Sequence, residues 1–267
     1  MTTLHDIQRP VALITGGSRG IGAATALALA ERGYDVAITF RNKAARAEEV
    51  IASLAQRNVR GLAVACDMTR AEDRAALLAE LRDWTPQLDL LILNASGGLE
   101  RDLVAENPDY PMLINRDAQV ALVDECLPLL RAPSTIVFVT SHWAHLHGKV
   151  EQLPSYEPVA ASKYAGELAL RQRQPQLAAQ GIRLLVVTGD LIEGTITPKL
   201  LERAAPGLTG SRREEMGRLP TAEEMGRAIA LAATDSTLPG GHTVVVGGAL
   251  ESLPGRGTEV PAHDTID

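Results

Sequence analysis

The chain has 267 residues, 45% apolar and only 3% aromatic, with a formal net charge of -7. That length suits a single α/β domain with a large aliphatic core, and an acidic balance with scattered lysines and arginines argues against a nucleic-acid partner. The opening MTTLHDIQRP is too polar for a signal sequence, no later run reaches the length of a membrane span, and Cys66 and Cys126 lack a paired spacing, so the chain reads as a cytoplasmic protein with two buried free thiols.

In chain order, apolar runs predict strands at 11–15, 36–40, 61–65, 88–93, 135–140, 182–187 and 243–246, and their continuous apolarity suits strands covered on both faces. Helical patterns fill the gaps at 21–32 (closed by Gly33), 43–56, 71–83, 111–130, 158–180 and 222–233. Pro175 is expected to kink the fifth helix or end it early. The alternation predicts one doubly wound α/β domain of Rossmann type, a seven-stranded, mostly parallel sheet with helices on both faces. Residues 192–220 carry glycines, prolines and short amphipathic pieces and are too long for a plain connector; they read as a substrate lid or as an irregular surface excursion. The polar tail 252–267 reads as a flexible arm or a subunit contact.

The first strand runs straight into TGGSRGIG at 15–22. A strand, a glycine turn and a helix N-terminus make an anion site, because unpaired N–H groups and the helix dipole both favour negative charge there. Gly16 permits the turn, Gly20 admits a pyrophosphate, Gly22 lets helix pack on strand, and Ser18, Arg19 and Ile21 complete the loop. With Thr15, Gly16, Gly20 and Gly22 matching T-G-x-x-x-G-x-G, the chain resembles the short-chain dehydrogenase/reductases over about residues 9–248. The resemblance implies that Asp67 and Met68 hold the adenine and that Asn94, Ala95 and Ser96, in LNASG, correspond to the family's N-N-A-G turn. Asp35 precedes the second strand and belongs at the far edge of the sheet, whereas Arg41 and Asn42 follow it, where a 2'-phosphate would stand. With Arg19 as a second cation, NADP(H) is expected over NAD(H); the alternative is that both arginines are ordinary solvated side chains.

The resemblance also implies the catalytic set. Ser141, after TIVFVT, matches the serine that orients the carbonyl; Asn115 matches the helix asparagine; Lys163, in AASK, matches the lysine that binds ribose and lowers the pKa of the acid. That acid is usually a tyrosine four residues before the lysine, and Val159 stands there. Tyr164 points about 100° away around the helix, and Tyr156, seven before Lys163, would lie roughly 10.5 Å along a rigid helix. Pro158, however, fits a first helical turn, so Tyr156 belongs to the entering loop. Its 15-residue separation from Ser141 is nearer the family spacing than the 18 to Val159, as if three residues were inserted. His142, His145 and His147 compete as proton donors, while their spacing is unspecific for metal and no metal is expected. Trp143 reads as a packing or stacking residue. After the sixth strand, Ile192 and Thr195 match the segment that contacts the nicotinamide carboxamide.

Two functions follow as expectations: an NADP(H)-dependent oxidoreductase of a small carbonyl or alcohol substrate, with Tyr156, a histidine or water as proton source, or an NADP(H)-binding partner subunit or redox sensor of impaired catalysis. The resemblance implies a homodimer or homotetramer packed through helices 111–130 and 158–180. Neither membrane nor nucleic acid is expected as a partner.

Overall fold

The computed structural model describes residues 9–253. Seven strands, β1 (Val11–Ile14), β2 (Asp35–Phe40), β3 (Gly61–Ala65), β4 (Leu88–Leu93), β5 (Leu130–Ser141), β6 (Ile182–Gly189) and β7 (Thr243–Val246), form one sheet in the order β3-β2-β1-β4-β5-β6-β7, with every pairing parallel. The order reverses between β1 and β4, so a crevice opens at the carboxyl ends of those strands, where such sheets hold ligands.

Successive strand residues face opposite ways, and two cores result. Leu13, Leu91 and Phe138 enter one, beneath α3 (Ala71–Trp84), α6 (Ala118–Cys126) and α8 (Glu157–Ala179); Ile14, Ile92 and Val137 enter the other, beneath α1 (Gly20–Ala30), α2 (Ala44–Ala55) and α11 (Ala222–Thr234). α11 crosses α1 at Gly226, where an added Cβ would lie 2.6 Å from the backbone of Ala24. This close approach fixes the glycine helix from outside. Cys66 and Cys126 are buried and free, and burial pushes both thiols up to about 12. Among the described residues, no helix is long and apolar enough to cross a membrane.

The sheet matches the sequence reading, and two helices depart from it. The helix expected over 111–130 is short and interrupted: α4 (Arg101–Glu106) and α5 (Tyr110–Met112) precede a π-helical turn at Leu113–Asp117, α6 stops at Cys126, and β5 begins at Leu130. Pro175 does not end α8, which continues to Ala179. Leu170 and Leu177 are buried on either side of it, and Arg171 clamps that turn through Glu167, the Gly241 carbonyl and the Thr243 hydroxyl, which offsets the hydrogen bond that proline removes. Residues 192–220 carry two helices, α9 (Ile196–Ala204) and α10 (Leu208–Met216). Of the predicted tail, Ser252 closes a short 3-10 turn and Leu253 is buried, so these two belong to the packed body; residues 254–267 lie outside the described residues.

Candidate active site

The glycine turn is built by hydrogen bonds across the crevice. The Thr15 hydroxyl accepts the N–H groups of Asn94 (3.0 Å) and Ala95 (2.9 Å), and Asn94 Nδ2 donates to the carbonyls of Thr15 (2.9 Å) and Gly16 (3.2 Å). Asn94 thus ties the turn after β1 to the turn after β4. Gly16 (φ +66°) and Gly20 (φ +53°) use the left-handed region. A Cβ on Gly22 would sit 2.4 Å from the Gly16 carbonyl, so this glycine is required by the turn itself rather than by helix-on-strand packing. Arg19 precedes α1 without a side-chain cap, which leaves the first-turn N–H groups open to an anion.

Beside the turn lies a cavity of about 210 Å³. Ser141, Tyr156 and Lys163 all line it. The Tyr156 hydroxyl is 2.9 Å from Ser141 Oγ, and Ser141 Oγ also accepts the Ala144 N–H at the start of α7 (His142–His145). Tyr156 is the residue immediately before α8 and is buried, so the chain entering that helix, rather than the helix itself, carries the phenol to the serine. Burial raises its pKa, against the opposing pull of the Ser141 hydrogen bond. Lys163 is buried on α8, and burial lowers its ammonium to about 8. Val159 forms apolar wall and presses on the loop at Gly98, where an added Cβ would lie 2.9 Å from its methyl. Tyr164 leaves the cavity and packs its ring beside His147, centroids 5.7 Å apart.

Asn115 sits in the π turn. Its Nδ2 donates to the Gly97 carbonyl (2.9 Å) and the Ser162 hydroxyl (3.0 Å), and its Oδ1 accepts the Gly97 N–H (3.3 Å). An interrupted helix at such a position is a recurring device of functional sites. Arg19, Ile21, Asn94, Ser96, Ile192 and Thr195 also line the cavity. The Thr195 hydroxyl donates to the Ile192 carbonyl (2.8 Å).

Arg41, Asn42, Asp67 and Met68 stand beyond the cavity, after β2 and β3. Arg41 is exposed and donates to the Tyr110 hydroxyl (2.8 Å), while Asp67 Oδ1 accepts the Thr69 N–H and hydroxyl. Asp35 lies at the opposite end of the sheet, buried and paired with Arg60 at 2.6 Å.

The histidines do not border the cavity as expected. His142 is fully buried, with Nδ1 on the Thr188 hydroxyl (3.0 Å) and Nε2 on the Gly248 carbonyl (2.9 Å), and burial lowers its pKa to about 4. Helix α7 turns His145 to Glu167, and the turn after it brings His147 to Glu157. None of the three lines the cavity: the strand-to-helix turn after Ser141 points His142 into the protein body, and His145 and His147 are taken up by carboxylates of α8. Among the described residues, no group of three or more His, Cys, Asp or Glu is placed to hold a metal ion.

The far wall is apolar: it combines Trp143 and Leu201, which the sequence reading names as a packing or stacking residue and as part of the candidate lid, with Leu99, Leu191 and Asp190, which it does not name, Asp190 being bonded to Arg212. For the unnamed residues the sequence signal is Asp190 itself, an acid inside the apolar run LLVVTGDLI that demands a buried partner.

A family profile described as short chain dehydrogenase matches residues 10–204. The 1-cyclohexenylcarbonyl-CoA reductase of Streptomyces collinus is 29% identical over 273 residues, covering 97% of this chain and 96% of its own. Versicolorin reductase 1 of Aspergillus parasiticus is 30% identical over 174 residues, 64% of this chain and 65% of its own. Among solved structures, the angucycline C-6 ketoreductase LanV with bound NADP superposes with a TM-score of 0.75 at 25% identity, over 91% of this chain and 96% of that one. A 3-oxoacyl-(acyl-carrier protein) reductase from Brucella melitensis in complex with NAD gives 0.75 at 27%, over 89% and 95%. The chain is therefore an oxidoreductase that belongs to the short-chain dehydrogenase family.

Proposed function

We propose that the protein is an NADP(H)-dependent reductase of compact, largely apolar carbonyl compounds, with Tyr156 as the proton donor. The observation that carries this reading is the Tyr156 hydroxyl 2.9 Å from Ser141 Oγ in a cavity that Lys163 also lines. The residues present fit a dinucleotide: the turn at Gly16 and Gly20 has no Cβ to obstruct a pyrophosphate, α1 opens uncapped beside it, and the crevice leads to Ser141. The nicotinamide, when bound, supplies the hydride. Ser141 and Tyr156 then hydrogen-bond the carbonyl oxygen from two sides, and the phenol gives its proton to the oxygen as charge develops there. Burial keeps Tyr156 protonated in the resting protein, and the ammonium of Lys163, which lines the same cavity, would stabilise the phenolate left behind.

The preference for NADP(H) is supported by Arg41 and Arg19, both exposed near the glycine turn, and by Asp35 being committed to Arg60 away from it. LanV carries NADP and the Brucella enzyme NAD, so both cofactors occur at similar distance from this chain. The apolar wall of Trp143, Leu99 and Leu201 supports the substrate class.

The test is Tyr156→Phe assayed with NADPH on a panel of ketones. The rate is expected to fall about 10² to 10⁴-fold, with NADPH affinity by fluorescence titration unchanged. Full activity in that variant removes the role of the phenol. Wild-type protein that binds NADPH tightly and reduces nothing across the panel would instead be a nucleotide-binding partner or sensor.

A further inference from the structure

In the excursion between β6 and α11, α9 covers the cavity and Ile192, Leu201 and Leu219 are buried apolar anchors, whereas α10 has no buried apolar side chain. α9 contributes Ile196, Thr197, Leu200 and Leu201 to the cavity wall, with Pro198 and Leu201 its buried residues. In α10 the buried residue is Arg212. The other ion pairs of the segment, Arg213–Glu193 and Arg218–Glu224, lie at the surface. Gly194, Gly207 and Gly217 flank the two helices with φ of +81°, +91° and +75°, and none has a heavy atom within 4 Å of where a Cβ would stand. α10 is therefore bounded at both ends by glycines in open space, and α9 is preceded by one, as in hinged elements.

One contact differs from all of these. Arg212 Nη2 donates to Asp190 Oδ2 at 2.6 Å, and Nε reaches Oδ1 and Oδ2 at 3.2 and 3.1 Å. The Asp190 side chain is 0% exposed and that of Arg212 4%. The same guanidinium donates to Glu215 Oε2 (2.7 Å) and the Ser252 hydroxyl (2.8 Å), and stands 5.8 Å from the ring centroid of Trp143. Asp190 in turn is fixed to the sheet, its N–H donating to the Val246 carbonyl at 3.1 Å.

We propose that the Asp190–Arg212 pair is a latch that seats α10 on the sheet and so holds α9 over the substrate cavity, making Arg212 a positioning residue for substrate binding. The choice of a charge pair has a physical reason. Separated in water, the two ions are well hydrated; joined and buried, they exchange hydration for each other, so closure is favoured but reversible. A leucine burying similar area would hold the segment shut, whereas an ion pair closes it in a defined geometry and still lets it open. Closure also sets Trp143, two residues after Ser141, under the guanidinium.

The latch rests on the reading that this cavity receives the carbonyl compound, and its test separates the two. Arg212→Met is digested with thermolysin alongside wild type, titrated with NADPH by fluorescence, and assayed for ketone KM and kcat. Cleavage within 192–220 is expected to be about tenfold faster or more, ketone KM about tenfold higher, and NADPH affinity unchanged, since a lost buried pair of this kind exceeds the 1.4 kcal/mol that a factor of ten represents. Proteolysis needs no turnover, so it tests the latch even if no ketone is reduced. Cleavage at the wild-type rate, or faster cleavage with unchanged ketone KM, overturns the proposal. Should Arg212→Met fail to fold, Arg212→Lys decides by the same measurements: it keeps the charge but not the forked contact, and should fall between the two.

Discussion

At the residue scale, the proton-handling groups differ from their ordinary chemistry because they are buried. Lys163, lowered to about 8 by burial, holds its charge below that pH and loses it above. If the ammonium supports the departing proton of Tyr156, kcat/KM for ketone reduction is expected to be level near neutral pH and to fall above about 8; a profile flat to pH 10 would remove Lys163 from that role. The placement of Tyr156 was legible in the sequence through Pro158 and the spacing to Ser141, because proline marks a helix start and the start was what mattered. The histidines were not legible. Whether a residue after a strand faces a crevice or a core depends on the turn it enters, and α7 turns His142 inward onto Thr188 and Gly248.

At the element scale, the sheet and its flanking helices could be read from apolar runs, since a strand covered on both faces has little choice of composition. The break in the helix expected over 111–130 could not, because a π turn changes a hydrogen-bond pattern without changing the residue pattern. What holds that turn against α8 is Gly166, where an added Cβ would lie 2.2 Å from the Asn115 carbonyl oxygen. Gly166→Ala must push the turn away and is expected to cost about 1–3 kcal/mol in chemical denaturation and to lower activity by displacing Asn115. Gly210→Ala, in α10 with nothing within 4 Å, is the control and should be neutral or stabilising by about 0.5–1 kcal/mol. Equal losses in the two variants would dissociate Asn115 from α8.

At the scale of the whole molecule, the packing that makes the site also sets its acid limit. His142 is held neutral, at about 4 instead of 6.5, chiefly by burial, with Asp190 pulling the other way. The unfolded chain takes up a proton there between those values and the folded one does not, so this part of the stability is complete above about 6.5 and is lost as pH falls toward about 4. By pH 5 the loss attributable to His142 is about 2 kcal/mol, and His142→Gln should show a correspondingly shallower fall of unfolding free energy between pH 7 and 5; parallel curves would place the acid sensitivity elsewhere. The excursion over the cavity begins and ends almost at one point: Glu193 bridges to Thr221, and its N–H donates to the Pro220 carbonyl at 2.8 Å. A loop whose ends are already tied can change length at little cost, each doubling adding only about 0.6 kcal/mol. The roof of the cavity is thus tied at its base, so its length can change without moving the ends of β6 and α11 that carry it.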